Sequence, residues 1–455
     1  MRFDVIVVGT GQAAVPLAEK LAASGRTVLL AERSLAGGTC VNYGCTPTKT
    51  LVASARAAHV ARTAARLGIR AGAVEVNFPA VMARKEAMVR RWREGVERRI
   101  AGAGPGLRFV RGHARFVGPR ELEIAGERHR AEVVVLNVGT HPAPPPVPGA
   151  EALPWLDNRR VMELPALPEH LLVLGGGYIA CEMGQLFRRL GAGVTLVQRA
   201  AHLLDREDPE VSTALEDAFR SEGIELFLGA RVARAEPRPG GGVGLVLEGG
   251  PEVAGSHLLV AVGRTPNTAD LGCAEGGVEL DGRGYVRVDD RYRTSAEGVY
   301  AVGDVTGGPQ FTHTSWDDHR ILLDVLEGRP ARSRSGRVIP YTVFTDPQVG
   351  GVGLNERAAR ERGVPYQVAS MPFGHVARAI ETDETAGVMK VLVRPDDGRI
   401  LGATVMGAEG GELVHVLAAL MQAGAPIQAL IDMQCAHPTF AEGLQTLAMR
   451  LPGRG

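Results

Sequence analysis

Lysine is nearly absent. Lys20, Lys49, Lys85 and Lys390 are the only four among 51 basic residues, a bias we take as genomic, and 51 acidic residues balance the charge. A chain without net charge has no overall field to recruit nucleic acid or an anionic membrane surface, so small molecules and another protein subunit are the partners to expect. Cysteine is scarce too. Five in 455 residues do not make a structural disulfide framework. Also missing is a run of about 20 uninterrupted apolar residues, the length that spans a bilayer. The opening residues lead directly into a buried-strand pattern, which leaves no room for a targeting segment. A cytoplasmic protein is expected.

What is present is enough apolar material, 45 % of 455 residues, for roughly three domains. The run Phe3 to Val8 is β-branched and apolar, and Gly9-Thr10-Gly11-Gln12-Ala13-Ala14 and a helical pattern through Leu21 follow it. A second strand, Thr27 to Ala31, ends at Glu32, completing a strand–helix–strand unit with an acidic terminus. A near copy begins at Leu171 to Leu174, continues through Gly175-Gly176-Gly177-Tyr178-Ile179-Ala180, and has its second strand at Val194 to Val197. Two such units imply two bound dinucleotides. Between them, the proline-rich stretch His141 to Gly149 is stiff and extended, and marks a domain boundary. Glu236 to Gly242 reads as a hairpin turn. After Asp304 the pattern turns helical; from Arg337 strands return before a long helical stretch, Gly411 to Leu430, which reads as a separate α+β domain.

Three constellations carry chemistry. In the first glycine turn, Gly9 permits the bend, Gly11 lets backbone approach a pyrophosphate and Ala14 allows close helix packing, with phosphates at the helix amino terminus. Glu32 is placed to accept hydrogen bonds from ribose hydroxyls; the competing reading is a tight turn with no ligand. The second unit has Gly175, Gly177 and Ala180, but ends at Gln198-Arg199 where an acid would select NAD. The missing carboxylate and the arginine favour an NADP 2′-phosphate, unless Arg199 is merely solvated. Sharpest is Gly37-Gly38-Thr39-Cys40-Val41-Asn42-Tyr43-Gly44-Cys45-Thr46-Pro47-Thr48-Lys49. Two thiols in a glycine-rich segment entering a helix suit reversible disulfide chemistry. A zinc site would need further cysteines or histidines at ligand spacing, and no metal site is expected. Cys181 and Cys273 read as packing residues, while Cys435, two residues before His437, has a chance of reaching substrate.

These residues, together with Ala261-Val262-Gly263-Arg264-Thr265-Pro266-Asn267, Ala301-Val302-Gly303-Asp304 and His437-Pro438-Thr439-Phe440-Ala441-Glu442, resemble the class I pyridine nucleotide-disulfide oxidoreductases over essentially the whole chain. The resemblance implies an α/β protein with two Rossmann-like dinucleotide-binding domains, for FAD and NAD(P), plus a C-terminal α+β dimerisation domain. The expected boundaries are 1–148 and 265–336 for FAD, 149–264 for NAD(P) and 337–455 for dimerisation. It implies that Cys45 lies against the flavin while Cys40 exchanges with substrate. Lys49 matches a lysine near the flavin, Glu182 its acidic partner, Asp304 the aspartate on the ribityl chain, and Tyr178 the gate of the nicotinamide pocket. Gly38, Thr39, Thr140, Gly263 and Arg264 fall in the cofactor-binding motifs. His437, held by Glu442, resembles the acid/base pair that one subunit of a homodimer supplies to the other's disulfide. Gln198-Arg199, Val343 to Val349 and the Cys-Val-Asn sequence look most like mercuric reductases, although an amino-terminal metal-binding domain and a vicinal C-terminal cysteine pair are missing. The expectation is therefore an FAD- and NADPH-dependent enzyme, with NADH possible, reducing a thiophilic metal ion or a disulfide. A dihydrolipoyl dehydrogenase is the alternative, and a structural flavoprotein subunit of a multienzyme complex a third.

Overall fold

The computed structural model describes residues 1–453, so the last two residues of the expected 337–455 domain lie outside it. The chain forms two compact units.

The first comprises Met1–Thr50, Met82–Ala143 and Gly263–Arg337. Strand Arg2–Val8 is central because Val5, Ile6 and Val7 are wholly buried, and only a strand covered on both faces can carry an unbroken apolar run. It pairs in parallel with Val28–Glu32 on one side and Glu127–Leu136 on the other, with Val5 opposite Val28 and Val133. Leu107–Arg111 extends one edge in parallel and Val299–Ala301 pairs with Glu127–Leu136. Two antiparallel strands, Ala114–Gly118 and Glu121–Ile124, complete the sheet. Helix Ala14–Ala23 packs Ala14, Leu17, Ala18 and Leu21 against it. Gly9 follows the carboxyl end of the central strand, where strand order reverses and parallel sheets bind ligands.

The second unit comprises Leu51–Val81, Pro144–Val262 and the chain from Val338 onward. Its parallel sheet runs Glu225–Leu228, Gly193–Gln198, His170–Leu174, His257–Val260, with helix Tyr178–Leu190 crossing between the two central strands. The expected turn after Glu236 joins antiparallel strands Val232–Pro237 and Val243–Leu247. A five-stranded antiparallel sheet, in the order Pro340–Val343, Gln348–Gly353, Ile400–Gly407, Val388–Val393, Gln367–Pro372, packs Met371, Met389 and Val405 with Leu417 and Leu444. The helical stretch expected from Gly411 to Leu430 is not continuous. Helix Gly410–Ala423 stops at Gly424, whose φ of +65° caps it, and Pro426 precedes a short helix, Gln428–Ile431.

No helix among the described residues is long and apolar enough to cross a membrane.

Candidate functional site

Gly9 has a φ of +97°, and a Cβ there would lie 2.4 Å from the Asn137 carbonyl oxygen. Gly11 answers to the same residue: its Cβ would meet Asn137 Oδ1 at 2.4 Å, and Gly38 approaches the Gly11 α-carbon from the other side. Both glycines are thus fixed by the chain's own packing as well as by room for a ligand. Glu32 closes the turn, its Oε2 accepting from the Thr10 amide at 3.0 Å and the Thr10 hydroxyl at 2.6 Å. Ala14 is fully buried.

Gly37, also left-handed, starts the short helix Gly38–Asn42, which carries Thr39 and Cys40. Asn42 anchors it by donating to the Ala36 and Gly38 carbonyls. Gly44 then lets the chain double back, since a Cβ there would sit 3.3 Å from the Cys40 α-carbon. Cys45 opens helix Cys45–Thr63, with Lys49 one turn later on the same face. The pair stands as two thiols, Cys45 exposed and Cys40 half-buried. A hydrogen bond to Cys45 and burial both push the Cys40 thiol up from its ordinary range. Thr312, first residue of helix Thr312–Leu326, places its hydroxyl 3.2 Å from Cys45 Sγ and also bonds to Cys40.

Thr140, Arg264 and Asp304 form one relay. Arg264 donates to the Thr140 hydroxyl at 2.7 Å and to its carbonyl at 2.9 Å, and that hydroxyl donates to Asp304 at 3.3 Å. Burial raises the Asp304 carboxyl above the usual range. Gly263, at φ +140°, immediately precedes this arginine.

Among the described residues, three buried polar atoms of this unit lack a hydrogen-bond partner: His129 Nδ1, Asn137 Oδ1 and Thr314 Oγ1. Buried polar groups are ordinarily satisfied, so the unmet acceptor Asn137 Oδ1 beside the glycine turn and the unmet Thr314 hydroxyl two residues after Thr312 fit a bound polar cofactor that offers hydroxyl donors, as ribose and ribityl groups do, and a polar ring edge.

In the second unit, Gly175 has a φ of +123° and a Cβ would meet the Ala261 carbonyl at 2.5 Å. Gly177 faces open space, the approach a pyrophosphate needs, and Tyr178 begins the helix with its side chain partly exposed. Gln198 is not simply a missing acid: it is buried beneath the turn, 2.8 Å from where a Gly176 Cβ would be. Arg199 is exposed and bonds to nothing among the described residues. Glu182 is buried and accepts from the Phe344 amide at 2.9 Å. His437 is 70 % exposed, its Nδ1 2.9 and 3.2 Å from the two Glu442 oxygens. That contact leaves Nε2 facing outward. Cys435 is half-buried; burial and Glu442 raise its thiol. Cys181 and Cys273 are buried packing residues. An acidic cluster of Asp208, Glu210 and Glu356 is filled by the Lys390 ammonium.

Sequence reading missed Thr312 and Asn137. A polar Thr312-His313-Thr314 opening a helix soon after Gly303-Asp304 was the available signal for the first; Asn137, ending an apolar strand, was the signal for the second.

Residues 3–318 match the family described as pyridine nucleotide-disulphide oxidoreductase, and 339–448 match the dimerisation domain of the same family. The chain is 33 % identical to the mercuric reductase of Lysinibacillus sphaericus over 449 residues, 98 % of this chain and 82 % of that one. It is 34 % identical to the dihydrolipoyl dehydrogenase of Thermus scotoductus over 461 aligned residues, 99 % and 97 % of the respective chains. A Cu(II) complex of the HOCl-induced flavoprotein disulfide reductase RclA from Escherichia coli superposes with a TM-score of 0.90 at 33 % identity, covering 98 % of this chain and 99 % of that one.

Proposed function

We propose that this chain, which belongs to the pyridine nucleotide-disulphide oxidoreductase family, is a cytoplasmic NAD(P)H oxidoreductase that uses the Cys40–Cys45 pair to reduce a thiophilic metal ion or a disulfide. The observation that carries the reading is the pair itself: two thiols, one exposed and one half-buried, hydrogen-bonded together at the start of a helix. Members of the family bind FAD and use NAD(P)H. When bound, FAD carries the electron pair from nicotinamide to the disulfide.

We assign 1–148 and 265–336 to FAD, with Gly9, Gly11, Ala14 and Glu32 at the adenosine and pyrophosphate, Gly38, Thr39, Thr140, Gly263 and Arg264 lining the site, Asp304 at the ribityl chain and Lys49 at the flavin ring. We assign 149–264 to NADPH, with Gly175 and Gly177 at the pyrophosphate, Arg199 at the 2′-phosphate, and Tyr178 and Glu182 toward the nicotinamide. Residues 337–455 form the homodimer contact. Cys45 faces the flavin. Cys40 exchanges with substrate, and His437 of a second copy, oriented by Glu442, moves the proton there.

Mercuric reductase and the Cu(II)-bound relative support a soft or redox-active metal ion. One observation favours a disulfide such as lipoamide instead: a histidine with Nδ1 fixed on a carboxylate and Nε2 free is the geometry of a general acid for a leaving thiolate. A substrate panel at fixed NADPH, spanning lipoamide, glutathione disulfide, mercuric and cupric ions, tests the reading. Turnover of one or more supports it; NADPH oxidation by none of them, in protein that binds FAD, refutes it.

A further inference from the structure

Three parallel strands of the first unit end side by side. Leu136 closes the middle one, Glu127–Leu136, and pairs with Val8 of the central strand on one side and with Ala301 of Val299–Ala301 on the other. Each outer strand runs on into a turn, Gly9 to Gly11 after the first and Val302 to Asp304 after the second. Asn137 is the next residue of the middle strand, so it stands in the crevice between the two turns. The crevice beyond the carboxyl ends of parallel strands is where such sheets take ligands.

The Asn137 side chain, in a residue 6 % exposed, touches both turns. Its Nδ2 donates to the Val302 carbonyl at 2.9 Å, and a Cβ on Gly303, whose φ is +74°, would lie 2.7 Å from the same nitrogen. A carbonyl can only accept, so this bond fixes which way the amide points. Oδ1 is thereby left to the glycine turn, where Gly11, having no side chain, does not cover it. Among the described residues nothing donates to Oδ1. A buried amide with one half anchored and the other unmet is costly unless a ligand completes it.

We propose that Asn137 is an FAD-binding residue whose side-chain carbonyl accepts a hydrogen bond from a ribityl hydroxyl, while its amide nitrogen holds the turn that carries Asp304. The inference rests on the reading of this unit as the FAD domain. Ionised phosphate oxygens have no proton to offer Oδ1, so its partner is a hydroxyl rather than the pyrophosphate. The adenosine ribose falls to Glu32, at the end of strand Val28–Glu32, which lies across the central strand from Asn137. The ribityl chain falls to the Asp304 turn, which Asn137 holds through Val302. Two acceptors there, the Asn137 amide and the Asp304 carboxyl, suit a chain of several hydroxyls.

The test compares FAD with ADP, which shares the adenosine and pyrophosphate but has no ribityl chain. FAD is removed from the full-length protein, its rebinding is followed by flavin fluorescence, and ADP is measured as a competitor of that rebinding. A neutral hydrogen bond corresponds to about a three- to tenfold change in affinity, so Asn137→Ala raises the FAD dissociation constant by that factor and leaves the ADP constant unchanged. FAD analogues each lacking one ribityl hydroxyl separate contact from hold: the analogue without the partner hydroxyl binds parent and variant alike. An unmoved FAD constant, equal weakening of FAD and ADP, or a gap that no analogue closes overturns the proposal. Should Asn137→Ala not fold, Asn137→Ser, whose oxygen stops short of the Oδ1 position, carries the same expectation. Failure of the parent chain to take up FAD at all is a different result, and removes the FAD reading itself.

Discussion

Replacing Lys390 by methionine removes a charge but little volume. Its side chain is 2 % exposed, and its ammonium contacts Asp208 and Glu356 at 2.7 Å each, and Glu210 as well. At an effective dielectric of about 20, each 2.7 Å pair is worth about 6 kcal/mol of Coulomb energy, most of it offset by the several kcal/mol that desolvating each ion costs. The loss on mutation is larger than this small net value suggests, because three carboxylates remain facing one another. Removing one member of a buried ion pair typically costs about 3–5 kcal/mol. We expect Lys390→Met to lose that amount at pH 7, a fall in midpoint temperature on the order of 10 °C for a unit of this size. The pH window follows from the shifts. Lys390 holds Asp208 and Glu356 below their usual range, so their stabilisation is full above about pH 5 and fades as pH falls through the depressed values. The Lys390 value is raised, so its own contribution is full below about pH 10 and is lost only in stronger alkali. Thermal melts of both proteins from pH 3 to 9 should therefore converge toward the acid end. A variant within about 0.5 kcal/mol of the parent at pH 7, or a gap that does not narrow in acid, refutes the reasoning.

Arg199, exposed and uncommitted, should confer a lower KM for NADPH than for NADH; Arg199→Glu should reverse the preference in steady-state kinetics. His437→Ala should lower disulfide reduction by about 10²- to 10⁴-fold, as loss of a positioned general acid does, and spare metal-ion reduction far more. Cys435→Ala should show the opposite bias, lowering metal-ion reduction more than disulfide reduction. Gly11→Ala should impair folding or FAD content, measured by flavin absorbance after purification, because its Cβ would collide with Asn137 Oδ1.

The two strand–turn–helix units were legible because their signal is local. A buried run such as Val5 to Val8, then a glycine with positive φ, then a small-residue helix occupies about 20 consecutive positions. The cysteine pair was legible for the same reason. What sequence could not show is who presses on the glycines. Gly11 is constrained by Asn137, Gly176 by Gln198, and Cys45 is met by Thr312, all through long-range packing that no periodicity encodes. The break inside Gly411 to Leu430 was readable in principle, since Gly424 followed by Pro426 is a stop signal. Apolar residues continuing through Ile427 and Leu430 hid it, because the short second helix buries into the same core.

The central claim is that Cys45 is the flavin-facing sulfur and Cys40 the exchanging one, and anaerobic titration with NADPH under a spectrophotometer measures this most directly. Two-electron reduction of the parent should produce a long-wavelength band; Cys45→Ser should abolish it, and Cys40→Ser should display it before any reductant is added. The opposite pattern, with the band lost in Cys40→Ser and retained in Cys45→Ser, would contradict the account.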